Sequence, residues 1–234
     1  MVLVKRICSP ERRKATIAVS ATLSSATLST HASPEGQEPE PFQLRISLHI
    51  AASTRPAQAI TIRTDGTVFA PSHPAGALDT LARGTASLAS TSDPARGISL
   101  GRFFAHRARQ PDEPPDLRQR PATHLLTIPA AGAVDVVHAL PLDRVFRHED
   151  QLAAEDVVGE TWRLRLNDGF VGTTWWCWGA LEGELREKRL SPWHEGMRSE
   201  ITPKPDVGDE WVLGSDPAEL VFEDRTADSS FRFV

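Results

Sequence analysis

The sequence predicts an all-β fold, an antiparallel two-sheet sandwich with a β-rich C-terminal extension. Three observations carry that reading. Period-2 alternation of apolar and polar residues recurs along most of the chain. Clusters of turn-forming residues interrupt it at short intervals, at 33–41 (SPEGQEPEP), 71–76 (PSHPAG) and 91–97 (TSDPARG). No long stretch carries the 3.6-residue period of an amphipathic helix. Strands with one dry and one wet face belong to antiparallel sheets, because parallel sheets are normally covered on both sides.

The elements follow in chain order. In ATIAVSATL, Ile17, Val19, Ala21 and Leu23 alternate with Thr16, Ala18, Ser20 and Thr22, a strand pattern. PFQLRISLHI is clearer. Phe42, Leu44, Ile46, Leu48 and Ile50 point one way, while Gln43, Arg45, Ser47 and His49 point the other. A one-residue slip would expose five apolar side chains, so Arg45 and His49 are expected to stay wet. AITIRTDGTVFA repeats the pattern through Ile60 and Ile62, turns at Asp65-Gly66 and resumes at Val68. Further strands are expected within 77–90, 124–129, 133–142 and 160–169. In the last, Trp162, Leu164 and Leu166 oppose Arg163, Arg165 and Asn167. Residues 107–121 hold four prolines and almost no hydrophobes, which reads as a loop, a mobile one. The 181–190 stretch, LEGELREKRL, is ambiguous. Its Glu182–Arg186 and Glu184–Lys188 pairs suit a helix, while Leu181, Gly183 and Leu185 alternate as in a strand. The expected organisation is a basic N-terminal segment (1–14), a sandwich domain (15–170) and a Trp-rich extension packed on it (171–234).

The order of LRISLHI, VFA, LTIPAAGAVDVVHALPLDRVF and VVGETWRLRL resembles an immunoglobulin-like sandwich. It is similar to the β-sandwich propeptides of deuterolysin-type proteases over about residues 15–167, with Trp162 where those domains place an aromatic. The resemblance implies the fold alone. The chain has no HExxH helix, so no protease activity carries over.

Composition narrows the classes. With 40% hydrophobic and 24% charged residues the chain can bury a core. Residues 1–120 carry 15 Lys+Arg against 10 Asp+Glu, and residues 121–234 carry 11 against 21. The arginines of the first half lie singly on strand-like segments without interleaved aromatics, so solvated strand faces are expected and nucleic acid is not. No apolar run reaches a membrane span. Cys8 and Cys177 allow at most one disulfide and no cysteine metal site. Asn167, the only asparagine, stands in Asn-Asp-Gly, so no N-glycosylation acceptor exists. A cytoplasmic location is expected. Mitochondrial or secreted locations are the alternatives if residues 1–34, with five basic residues among the first 14, are a targeting segment.

Each candidate site in the sequence also has a plainer role. Gly97–Gly101 (GISLG) matches the G-x-S-x-G nucleophile elbow, but the preceding TSDPAR is no buried strand, so Ser99 is not expected to be catalytic. His138, Asp143 and His148 stand near one another without the spacing of a metal site, and surface or half-buried roles are expected. Cys177 with His194 and Glu195 could form a nucleophile and base, but Cys177 lies between tryptophans as a small strand hydrophobe would. No phosphate loop, dinucleotide fingerprint, metal or cofactor motif appears.

The tryptophans remain. All six fall in the final third, and GTTWWCWG sets three within four residues. If 173–178 is a strand, Trp176 and Trp178 share one face, and Trp175 and Cys177 the other. Bulky groups on both faces call for a second layer, which only 181–234 can supply. The expected site is a Trp-rich cleft of Trp175, Trp176, Trp178, Arg186, Trp193, His194 and Glu195. The expected function is a non-enzymatic binding or protein-interaction module for a protein partner or an apolar small molecule. The alternatives are a small cyclase- or hydrolase-type enzyme with a Trp-lined pocket, and a carbohydrate-binding module.

Overall fold

The computed structural model describes residues 8–30, 42–71, 80–102, 112–140, 142–147, 152–197, 201–226 and 229–234. The described chain is built mostly of strands. The first half supplies β1 (Ala15–Leu23), β2 (Thr27–Leu28), β3 (Gln43–Ser53), β4 (Ile60–Arg63), β5 (Ala86–Ser90), β6 (Gly97–Ser99), β7 (Leu125–Ile128) and β8 (Val134–Ala139). The second supplies β9 (Thr161–Leu166), β10 (Trp176–Trp178), β11 (Arg189–His194), β12 (Trp211–Gly214), β13 (Leu220–Asp224) and β14 (Ser230–Phe233). Two single-turn helices, α1 (Leu142–Val145) and α2 (Ala154–Val157), lie between β8 and β9.

Among the described residues the strands form four sheets, ordered β13-β1-β3-β8, β2-β14-β9-β5-β6, β10-β4-β7 and β11-β12. The pairing is mixed rather than antiparallel throughout. β1 runs parallel to β13, β14 to β2, and β11 to β12. The cause is where the tail goes: β13 and β14 return to the edge of β1 and the gap between β2 and β9, in the sense their connections allow. Strands after residue 219 thus complete both large sheets.

One large core lies between the first three sheets. It takes Ile17, Val19, Leu44, Ile46 and Leu48 from the first and Leu88, Trp162, Leu164, Leu166, Phe231 and Phe233 from the second. Ile60, Ile62, Ile128 and Trp176 come from the third. Ring pairs join its layers, with Phe42 and Phe231 centroids 5.3 Å apart and Phe69 and Phe222 5.6 Å apart. The 42–50 alternation holds: Phe42, Leu44, Ile46 and Leu48 are buried, Ile50 packs at the margin and Arg45 is exposed. His49 is half-buried rather than wet. Residues 15–23 form a strand paired on both sides, but its first half does not alternate in burial: Thr16 and Ala18 are as buried as Ile17 and Val19.

Several expectations need correction. Val68 is fully buried but lies in a run of turns, not a strand; the Thr67 hydroxyl donates to Thr64 O at 2.7 Å and folds the chain there. Of 77–90 only β5 is strand. Residues 81–83 form a 3-10 turn that ends at Gly84, and 77–79 lie outside the described residues. In 173–178 only β10 is extended, and 181–187 is a run of turns, neither helix nor strand.

The described part of the Pro-rich loop, 112–121, is pinned. Asp116 Oδ1 accepts from the Arg118 and Leu190 amides at 3.0 and 3.1 Å, and Arg118 donates to Leu185 O at 2.5 Å. Arg120 ion-pairs with Glu113 at 2.8 Å. These bonds hold Leu117 completely buried.

Candidate functional site

The sheet β10-β4-β7 is a wall between two cores. Its registers pair Trp176 with Ile62, Cys177 with Thr61, and Trp178 with Ile60. Cross-strand partners share a face, so Trp176 and Trp178 look into the large core while Cys177 and Thr61 look away. Behind the wall is a second cluster of Leu117, Trp175, Cys177, Leu185 and Leu190, with Leu125, Leu181 and Val212 at its margin. Buried polar groups on this side are bonded. Thr61 Oγ1 donates to Gly179 O at 2.7 Å, and Thr127 Oγ1 accepts from the Leu181 amide at 3.1 Å. Thr173 Oγ1 accepts from the Trp175 amide at 3.2 Å and shapes the irregular backbone that brings Trp175 behind the wall.

The six tryptophans divide into two groups. Trp162, Trp175 and Trp176 are at most 1% exposed. The Trp176 indole donates to Asp216 O at 2.9 Å and that of Trp175 to Trp193 O at 3.3 Å. Gly214 permits the second contact, since a Cβ there would lie 2.4 Å from Trp175 Nε1. Trp178, Trp193 and Trp211 are half-buried, and each ring lies beneath a cation of the chain, as buried Trp162 also does beneath Arg96 at 5.9 Å. Arg55 is 5.2 Å from the Trp178 centroid, Arg189 5.6 Å from Trp211 and Lys204 6.0 Å from Trp193.

The expected cleft is therefore gathered in part. Trp175, His194 and the Trp193 carbonyl meet around Gly214, whereas Trp176 and Trp178 pair edge-to-face at 5.2 Å on the other side of the wall, toward the large core, outside that group. Arg186 is exposed in the 181–187 turns, on the segment that contributes Leu185 to the second cluster. Glu195 is exposed and ion-paired with Lys14 at 3.2 Å. Trp211, with Arg189 over its ring, belongs to the same two-stranded sheet as Trp193, a neighbour the expected cleft did not include. Its place in the acidic stretch DEWVLG was the only available signal.

The Cys177–His194 pair lacks the chemistry of a nucleophile. Burial pushes the Cys177 thiol up to about 12, against a small opposing effect of Arg118, so it stays protonated at neutral pH. His194 Nδ1 is 2.6 Å from Glu195 O. The GISLG segment is likewise structural. β6 is an edge strand paired with β5, and the Ser99 hydroxyl donates to Gly101 O at 2.7 Å. Gly101 is required because a Cβ there would sit 2.3 Å from the 81–82 backbone. His138 is fully buried in β8, its Nε2 2.9 Å from Val68 O; the Asp143 side chain and His148 lie outside the described residues. Among the described residues no group of three metal-ligating side chains converges, and no helix is long and apolar enough to cross a membrane.

Two further features complete the surface. Thr22, Leu23, Ser24, Gln43 and Arg45 line a shallow polar groove of about 210 Å³, with no tryptophan in it. At the opposite end of β1, Lys14 and Arg12 reach the tail. Burial works against the Lys14 charge, but hydrogen bonds to Glu219 and Glu195 outweigh it and raise its pKa, and Asp216 raises that of Arg12. Compared with known proteins, the chain matches no family model, no curated protein and no solved structure.

Proposed function

We propose that the protein is a non-enzymatic binding module, an immunoglobulin-like frame that presents a tryptophan–cation face to a protein partner. One observation carries the reading: Trp162, Trp175 and Trp176 are committed to the two cores and Trp178 packs on the large one, while Trp193 and Trp211, on the two-stranded sheet β11-β12, stay half-buried under Lys204 and Arg189. Tryptophan and arginine are the residues most enriched at the energetic centres of protein interfaces. A side chain needed only for packing gains from full burial, as Trp175 and Trp176 do. The cations already occupy the ring faces a sugar would stack on, which favours a protein partner over a carbohydrate.

The test is chemical cross-linking of the full chain in its own host, with wild type beside a Trp193→Ala/Trp211→Ala variant. The reading expects a cross-linked protein that the variant loses while its melting temperature stays within a few degrees of wild type. Recovery of the same proteins by both, or of none by wild type, overturns it.

A further inference from the structure

We propose that residues 9–14 are an ionic strap that closes the corner formed by 194–197 and 215–219, and that salt releases it. The strap does not depend on which partner the tryptophan face takes. Its backbone joins the fold at two points: the Lys14 amide donates to Glu219 O and the Thr54 amide to Lys14 O, both at 2.9 Å. Its side chains do the rest. Lys14 Nζ is 2.7 Å from Glu219 Oε2 and 3.2 Å from Glu195 Oε2, and Arg12 Nη2 is 3.1 Å from Asp216 Oδ2 and 3.5 Å from Glu219 Oε1.

The two sides of this contact differ. The Asp216 and Glu219 side chains are only 11% and 12% exposed, whereas those of Arg12 and Lys14 are 59% and 34% exposed. The carboxylates are fixed in the fold and the cations are the removable part. Removing them leaves two mostly buried carboxylates close together without counter-charge, a costly state. The corner then has reason to open. Asp216 is its hinge: Oδ1 accepts from the Ala218 amide at 3.0 Å and its carbonyl accepts from the Trp176 indole. An opening there reaches the wall of the large core, and through the Glu195 amide bond to Gly214 O it reaches Trp175 and His194. Because the cations are partly in water, concentrated salt screens them, the Debye length falling from about 10 Å at 0.1 M to about 3 Å at 1 M.

The experiment is amide hydrogen exchange of the full chain in dilute and in about 1 M sodium chloride. Salt is expected to speed exchange at Lys14, Thr54, Glu195 and Glu219 about tenfold relative to Leu140 and Leu164, whose amides bond across the large sheets. Arg12→Gln/Lys14→Gln should show the fast exchange already in dilute salt, and Arg12→Lys/Lys14→Arg, which keeps both charges, should behave as wild type. Strap amides that keep pace with Leu140 and Leu164 in every condition overturn the proposal. So does a doubly neutral variant as protected as wild type.

Discussion

The two cores on either side of the β10-β4-β7 wall are made in different ways. The large one is assembled from regular strands whose alternation specifies which side chains enter it. The smaller one is assembled from a 3-10 turn (Leu117), an irregular residue before a strand (Trp175), a strand residue on the far face (Cys177), a run of turns (Leu185) and one strand start (Leu190). Backbone pairing holds the first together. Side chain-to-backbone hydrogen bonds from Asp116, Arg118, Thr173 and Thr127 hold the second. A core built largely from turns and irregular segments needs such polar fasteners, because many of its backbone groups have no ladder to satisfy them.

The largest effect expected from breaking this arrangement comes from removing the tail. A chain ending near Gly179 loses the second cluster, but also β13 beside β1 and β14 between β2 and β9. It should fail to fold and should aggregate, as read by size-exclusion chromatography and circular dichroism. A soluble monomer with wild-type melting behaviour would mean the tail is an appendage. Next, Asp116→Ala removes the acceptor of two backbone amides and should cost about 2–3 kcal/mol in denaturant unfolding. Its signature is early loss of Trp175 fluorescence change and of Cys177 protection before the large core unfolds.

Thiol chemistry sharpens the same comparison. Cys177 is 2% exposed and Cys8 is half-buried, so a maleimide at pH 7.5 should modify Cys8 first, as mass spectrometry reads. The sign of the pH effect follows from the raised Cys177 value. The folded thiol keeps its proton from its ordinary 9.0 up to about 12, whereas the unfolded thiol loses it, so stability falls as pH rises through that window. Cys177→Ala should remove that alkaline component. The smallest effect belongs to the outer face of β3, where Arg45 and Asp135 pair at 3.0 Å in solvent. Arg45→Ala should change stability by about 0.5 kcal/mol or less.

Legibility in the sequence follows the same division. The alternation of Phe42, Leu44, Ile46 and Leu48, and of Trp162, Leu164 and Leu166, placed those residues correctly because a strand's period is imposed by its geometry. Trp175 and Trp176 do enter different cores as expected, but Trp175 precedes the strand and reaches its side through the irregular backbone at Thr173, not through strand alternation. What could not be read was that Thr61 would be as buried as Ile60, because its hydroxyl finds Gly179 O only in the folded chain. Adjacent apolar residues, Leu125 and Leu126 in one strand and Ile17, Ala18 and Val19 in another, were the hint of strands covered on both faces. Leu117 was hidden among prolines and charges, and its burial depends on Asp116 meeting an amide 74 residues away. Parallel pairing by β13 and β14 was likewise illegible, as no local pattern encodes a strand's partner.

The division of the tryptophans is the central claim, and single alanine substitutions followed by equilibrium unfolding test it most directly. Trp175→Ala and Trp176→Ala should each cost about 3–5 kcal/mol, because both rings are buried and indole-bonded. Trp193→Ala and Trp211→Ala should each cost clearly less, about 1 kcal/mol, because both rings are only half-buried. If either of the latter costs as much as Trp176→Ala, the half-buried rings are structural and the tryptophan–cation face has no claim to be a binding surface.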